Sequence, residues 1–101
     1  MSLLKFKKII DLRSITEIIQ NGKIPNSKNI PYESFKEHPV ESLALLKLKK
    51  NDPILFYCRS GKRSSQIVWL TRQLGYNSFN LDLGFNFFKN HKYKFYSPPQ
   101  L

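Results

Sequence analysis

The chain has 101 residues, enough for one compact domain with a single core and too few for two ordinary ones. Hydrophobic residues at 41% and charged residues at 24% are the balance of a soluble globular chain, which excludes a disordered or membrane-embedded class. Seventeen lysines and arginines against seven acidic residues give a net charge of +10, mostly as scattered lysines, which suits a nucleic-acid partner, an anionic membrane surface or small anionic substrates without choosing among them; charge alone is a weak pointer, and a nucleic-acid partner is not expected from it.

Residues 1–10 interleave leucine, isoleucine and phenylalanine with three lysines and a serine, which makes neither a signal peptide nor a membrane anchor. Ile9-Ile10 leads into Asp11-Leu12-Arg13, a buried strand expected to end at Arg13. Ser14 then suits an N-cap, and Glu17 three residues later completes a capping box for a helix over residues 15–20, ended by Asn21-Gly22. Residues 23–31 carry two prolines and no regular period and are expected to be an ordered connection. Residues 32–50 turn helical, with Pro39 separating a short turn from a stronger helix whose Leu43, Leu46 and Leu45 face the core. After Asn51-Asp52-Pro53, the run Ile54-Leu55-Phe56-Tyr57 is continuously apolar, the mark of a central strand covered on both faces. A loop over residues 59–62 precedes a helix over 63–74 that places Ile67, Leu70 and Leu74 on one face, with Gly75 at a left-handed cap. A short strand follows over residues 78–81, and Gly84 turns the chain into Phe85, Phe87 and Phe88.

Strands alternating with helices at this pitch predict an α/β fold, a three-layer sandwich with a mainly parallel central sheet and helices on both faces. The expected domain covers residues 1–88, with residues 89–101 as a basic, aromatic C-terminal strap or tail of the same domain.

Cys58 is the only cysteine, so no intrachain disulfide forms and a reducing, cytoplasmic setting is expected. In Tyr57-Cys58-Arg59-Ser60-Gly61-Lys62-Arg63-Ser64 the thiol leaves the carboxyl end of a central strand directly before a helix. Free amides at a helix start, its dipole and the cations Arg59, Lys62 and Arg63 favour an anion there and lower the thiol pKa. Gly61 lets successive amides curl inward, and Ser60 and Ser64 add hydroxyls. An isolated cysteine is usually a small buried hydrophobe, but the flanking cations argue here for an accessible sulfur.

Two separated groups of residues share a known pattern. The first is Asp11-Leu12-Arg13, Glu17, Gly22, Ile24-Pro25 and Asn29-Ile30-Pro31; the second is residues 57–64, then Gly75-Tyr76 and Leu81-Asp82-Leu83-Gly84. In order and spacing they resemble the single-domain rhodanese sulfurtransferases over residues 9–88. Lys23 stands where that family has histidine, Asn26 where it has glycine, and Phe85 at the second glycine of a Gly-Gly pair.

The resemblance implies transfer of a sulfane sulfur from thiosulfate or a persulfide to a thiol or cyanide through a persulfide on Cys58, with neither metal nor organic cofactor. It implies that Arg59, Ser60, Gly61, Lys62 and Arg63 bind the donor. Asp11, Arg13 and Glu17 are expected to support the site structurally, Arg13 by pairing with Glu17. His38 and His91 lie far from both motifs and are expected at the surface. Two alternatives stay open. One is a sulfur-relay or protein-interaction module of the same fold. The other is a cysteine phosphatase or arsenate reductase, although those place five residues between cysteine and arginine where this loop has the four from Arg59 to Lys62.

Overall fold

The computed structural model describes residues 3–91. Strands β1 (Lys8–Asp11), β2 (Lys28–Asn29), β3 (Pro53–Tyr57) and β4 (Asn77–Asn80) form one parallel sheet in the order β2-β1-β3-β4. The helices are α1 (Ile15–Asn21), α2 (Tyr32–Glu37), α3 (Pro39–Leu46), α4 (Lys62–Gln73) and α5 (Gly84–His91), and a 3-10 turn spans Leu3–Lys5.

The unbroken apolar run of β3 reflects its place between two helical layers. Successive side chains of a strand point to opposite faces, so Ile54 and Phe56 enter one core and Leu55 and Tyr57 the other. The first core is closed by α2, α3 and α4 through Phe35, Leu43, Leu46, Ile67 and Val68, with the Phe35 and Phe56 rings edge to face at 5.3 Å. The second is closed by Phe6, Ile24, Leu81 and Phe85, the last from α5. Helix α1 buries no side chain, and its start rests on the capping box: Ser14 Oγ accepts from the Glu17 amide at 3.2 Å, and Glu17 Oε1 accepts from the Ser14 amide at 3.1 Å.

Helix α4 ends as its glycine foretells. Gly75 takes φ +91°, its amide donates to Arg72 O, and the Tyr76 amide donates to Thr71 O, the two bonds of a Schellman cap. Several details differ from expectation. The first strand stops at Asp11, and α3 stops at Leu46 because Lys47 itself turns left-handed at φ +53°. Leu45 is 66% exposed, since one face of α3 is filled by Leu43 and Leu46. Within the expected connection lies β2, only two residues long, pinned where Asn29 Nδ2 donates to the carbonyls of Asp11 and Arg13 at 2.9 and 2.8 Å. The C-terminal strap lies from residue 92 onward outside the described residues, and α5 carries the chain through Lys89 to His91. Among the described residues no helix is long and apolar enough to cross a membrane.

Candidate functional site

Cys58 follows the last residue of β3, and the chain wraps around its sulfur before entering α4. Gly61, at φ +95°, makes the bend and caps the helix. Its amide donates to Sγ at 3.2 Å, the Ser64 amide donates at 3.4 Å, and the Ser64 hydroxyl lies 3.4 Å from Sγ. Burial pushes the thiol pKa up, but the Ser64 hydroxyl and the amides of Ser64, Gly61 and Ser60 outweigh it and hold the pKa below its ordinary value.

The expectation of an accessible sulfur is corrected: Cys58 is 1% exposed and joins the core beneath α4. The cations do not expose the thiol because the backbone between them curls over it, so Arg59 and Lys62 meet solvent while the sulfur faces inward-pointing amides. Charge sits in side chains and the cradle is made of backbone, which is why neighbouring cations say little about burial.

The loop is held from outside by the start of α5. The amides of Phe85 and Asn86 donate to the carbonyls of Cys58 at 2.8 Å and Arg59 at 3.2 Å. These bonds occupy the carbonyls of the two residues that open the loop. The approach is close enough that a Cβ on Gly84 would stand 2.3 Å from Arg59 O, and one on Gly61 would stand 2.0 Å from Asp82 O. Gly61→Ala is therefore expected to cost at least about 1–2 kcal/mol from the left-handed backbone alone. It should also open the loop and raise the Cys58 pKa. Thermal melting and the pH dependence of Cys58 alkylation check both effects, and an unchanged pKa with lowered stability would mean that the cradle tolerates the shift.

The remaining residues divide into two groups. Arg63, in the first turn of α4, makes a two-pronged ion pair with Glu17 at 3.1 and 3.2 Å, which fastens α1 to the mouth of the loop. Glu17 is thus the partner of Arg63 and not, as expected, of Arg13, because Arg13 is committed elsewhere. Burial pushes the Glu17 carboxyl up, yet the bonds from Arg63 and Ser14 bring it below its ordinary value. Burial lowers the Arg63 pKa, while Glu17 and then the charge of the Cys58 sulfur raise it above its ordinary value. Ser60 is exposed and contributes its amide.

Asp11 and Arg13 form a buried network behind the site. Arg13 Nε and Nη2 donate to the Asp11 carboxylate at 3.0 and 2.7 Å, Nη2 also reaches Gly22 O at 2.8 Å, and the guanidinium lies 4.0 Å from the centre of the Phe85 ring. Tyr57, next to Cys58, donates its hydroxyl to Asp11 at 2.6 Å and accepts from the Ile24 amide at 3.1 Å. Burial and then the Asp11 carboxylate push the Tyr57 pKa up to about 12. His38 is exposed, at the junction of α2 and α3, and the side chain of His91 lies outside the described residues.

Sequence reasoning missed Asn80 and the α5 amides. Asn80 Oδ1 accepts from the Ser64 hydroxyl at 2.5 Å, a contact between residues that are distant in the chain and adjacent only because β4 lies beside β3.

The family profile described as Rhodanese-like domain matches residues 2–91. The chain is 40% identical over 86 residues to thiosulfate sulfurtransferase/rhodanese-like domain-containing protein 3 of Mus musculus, covering 76% of this chain and 55% of that protein, so it spans about half of that relative's length. It is 34% identical over 77 residues to a rhodanese domain-containing protein of Drosophila melanogaster, covering 69% of each. A human single-domain sulfurtransferase of known structure superposes with a TM-score of 0.65 at 29% identity, over 82% of this chain and 80% of that one. With the family profile matched from residue 2 to residue 91 and relatives of this fold on both sequence and structural grounds, the chain belongs to the rhodanese-like domain family.

Proposed function

We propose that the protein is a sulfurtransferase that carries sulfane sulfur as a persulfide on Cys58, taking it from thiosulfate or a persulfide donor and passing it to a thiol or to cyanide. The carrying observation is a lone sulfur receiving amide hydrogens from Gly61 and Ser64 at the start of a twelve-residue helix. In the first half-reaction the thiolate attacks the outer sulfur of thiosulfate, the sulfur–sulfur bond of the donor breaks, and sulfite leaves with the bonding pair. The charge then rests on the outer sulfur of the persulfide, where the loop amides and the α4 dipole stabilise it. Cyanide attacks that sulfur, thiocyanate leaves, and the thiolate is restored without any outside oxidant or reductant.

The engagement of Arg63 favours this reading over a phosphatase. A phosphatase needs its closing arginine to clamp a phosphate, whereas both prongs of Arg63 are held by Glu17. A relay between proteins uses the same persulfide and differs only in its donor and acceptor. The test is thiocyanate production from thiosulfate and cyanide: parallel lines in double-reciprocal plots are expected for the two-step cycle, and intersecting lines or no turnover would count against it.

Arg59 is an exposed cation that follows Cys58 in the chain, and we assign it to the attraction of dianionic thiosulfate. Because solvent screens it, Arg59→Ala is expected to raise KM for thiosulfate by only about two- to fivefold, the range of an exposed ion pair. Added salt should mimic the change. A donor of lower charge should feel less of it, and equal KM changes for both donors would remove the electrostatic role.

A further inference from the structure

The Ser64 hydroxyl has one proton and two acceptors around it. Asn80 Oδ1 lies 2.5 Å from Oγ, and the Cys58 sulfur lies 3.4 Å away on another side. The orientation of the Asn80 amide follows from its other neighbours. Its Nδ2 faces Gly61 O at 3.4 Å and Asp82 Oδ1 at 3.3 Å, both of which only accept, so its carbonyl oxygen must face Ser64. Ser64 is fully buried, so no water competes for its proton.

We propose that Asn80 is a positioning residue that sets how readily Cys58 ionises, by holding the single proton of the Ser64 hydroxyl away from the sulfur. In the thiol state Cys58 donates its S–H to Ser64 Oγ, and Ser64 donates to Asn80. When the sulfur loses its proton to solvent, the hydroxyl turns to donate to the thiolate and the bond to Asn80 is given up. Forming the thiolate therefore gains a hydroxyl bond at the expense of another, while the amide bonds from Gly61 and Ser64 persist in both states. No covalent bond other than S–H changes.

Of the charged groups around the loop, Arg63 of α4 is coupled to the sulfur, Glu17 of α1 reaches it through Arg63, and Asp82 after β4 reaches it through Asn80, while the side chains of Arg59 and Lys62 meet solvent. Only Asp82 also touches Asn80 in this set, so the test must separate its effect from that of the Ser64 proton.

The inference rests on Cys58 as the reactive thiol, and its test requires no sulfur donor. The readout is the pH dependence of ultraviolet thiolate absorbance, with the Cys58→Ala protein subtracted to remove tyrosine, and of alkylation by a small haloacetamide. Asn80→Leu has similar bulk and no acceptor. It is expected to lower the ionisation midpoint, giving about threefold to tenfold more alkylation well below the wild-type midpoint, the equivalent of one neutral hydrogen bond. Ser64→Ala is expected to raise the midpoint, and adding Asn80→Leu to it should produce no further shift. Asn80→Asp keeps an acceptor toward Ser64 and adds a charge; it should raise the midpoint by more in the presence of Ser64 than in the Ser64→Ala background, and that difference preserves the test if the leucine variant does not fold. A purely structural Asn80 predicts the opposite sign, since a loosened loop loses amide donors and its thiol pKa climbs. A raised or unchanged midpoint in Asn80→Leu, or an equal shift with and without Ser64, would overturn the proposal. Failure of sulfur transfer with these shifts intact would overturn only the proposed function.

Discussion

Thiocyanate formation is expected to fall to the uncatalysed background when Cys58 is replaced by serine, with the fold intact. The serine oxygen can accept the amides of Gly61 and Ser64 much as the sulfur does, so the loop keeps its shape. A hydroxyl has a far higher pKa than a thiol and forms no stable bond to sulfane sulfur, so neither half-reaction can start. The wild-type rate should rise with pH to a plateau reached below the range of a free thiol, because the donors around the sulfur win against its burial. Near-wild-type turnover by the serine variant would place the chemistry elsewhere.

The largest effect on stability is expected from Asp11→Ala. Asp11 and Arg13 are both buried, and the carboxylate takes hydrogens from the Arg13 guanidinium and amide and from the Tyr57 hydroxyl. Removing it leaves a buried guanidinium with Gly22 O and the Phe85 ring, and a tyrosine hydroxyl that has lost its charged acceptor and must turn to Ser27 Oγ at 3.0 Å. Breaking a buried pair from one side costs about 3–5 kcal/mol, a large share of the 5–15 kcal/mol that holds a small domain together. Chemical denaturation should show this loss, and Asp11→Leu combined with Arg13→Met should recover much of it, because an apolar pair leaves no orphaned charge. A single-variant loss below about 1 kcal/mol would mean that water reaches the network.

What could be read from the sequence was local. The Ser14–Glu17 box, the doubly covered β3 and the Gly75 cap are each signalled within a few residues, and the structure has all three. The curl of the cysteine loop was equally legible, because Gly61 and the helix that follows define it. Partners across the chain were not. Arg63 and Glu17 are 46 residues apart, and their pairing depends on α1 lying beside the start of α4, which no spacing reveals. Asn80 is an ordinary polar residue at a strand end until the register of β3 with β4 sets it against Ser64. Burial of Cys58 was misjudged for a related reason: side-chain charge is visible in a sequence, while the direction of a backbone amide is not.

The most direct measurement is the intact mass of the protein after incubation with thiosulfate and removal of the donor. The account predicts a gain of one sulfur atom, located on Cys58, absent from the Cys58→Ser protein and discharged by a thiol or by cyanide. An unchanged mass under conditions of full turnover, or added sulfur that persists when Cys58 is replaced, would contradict it.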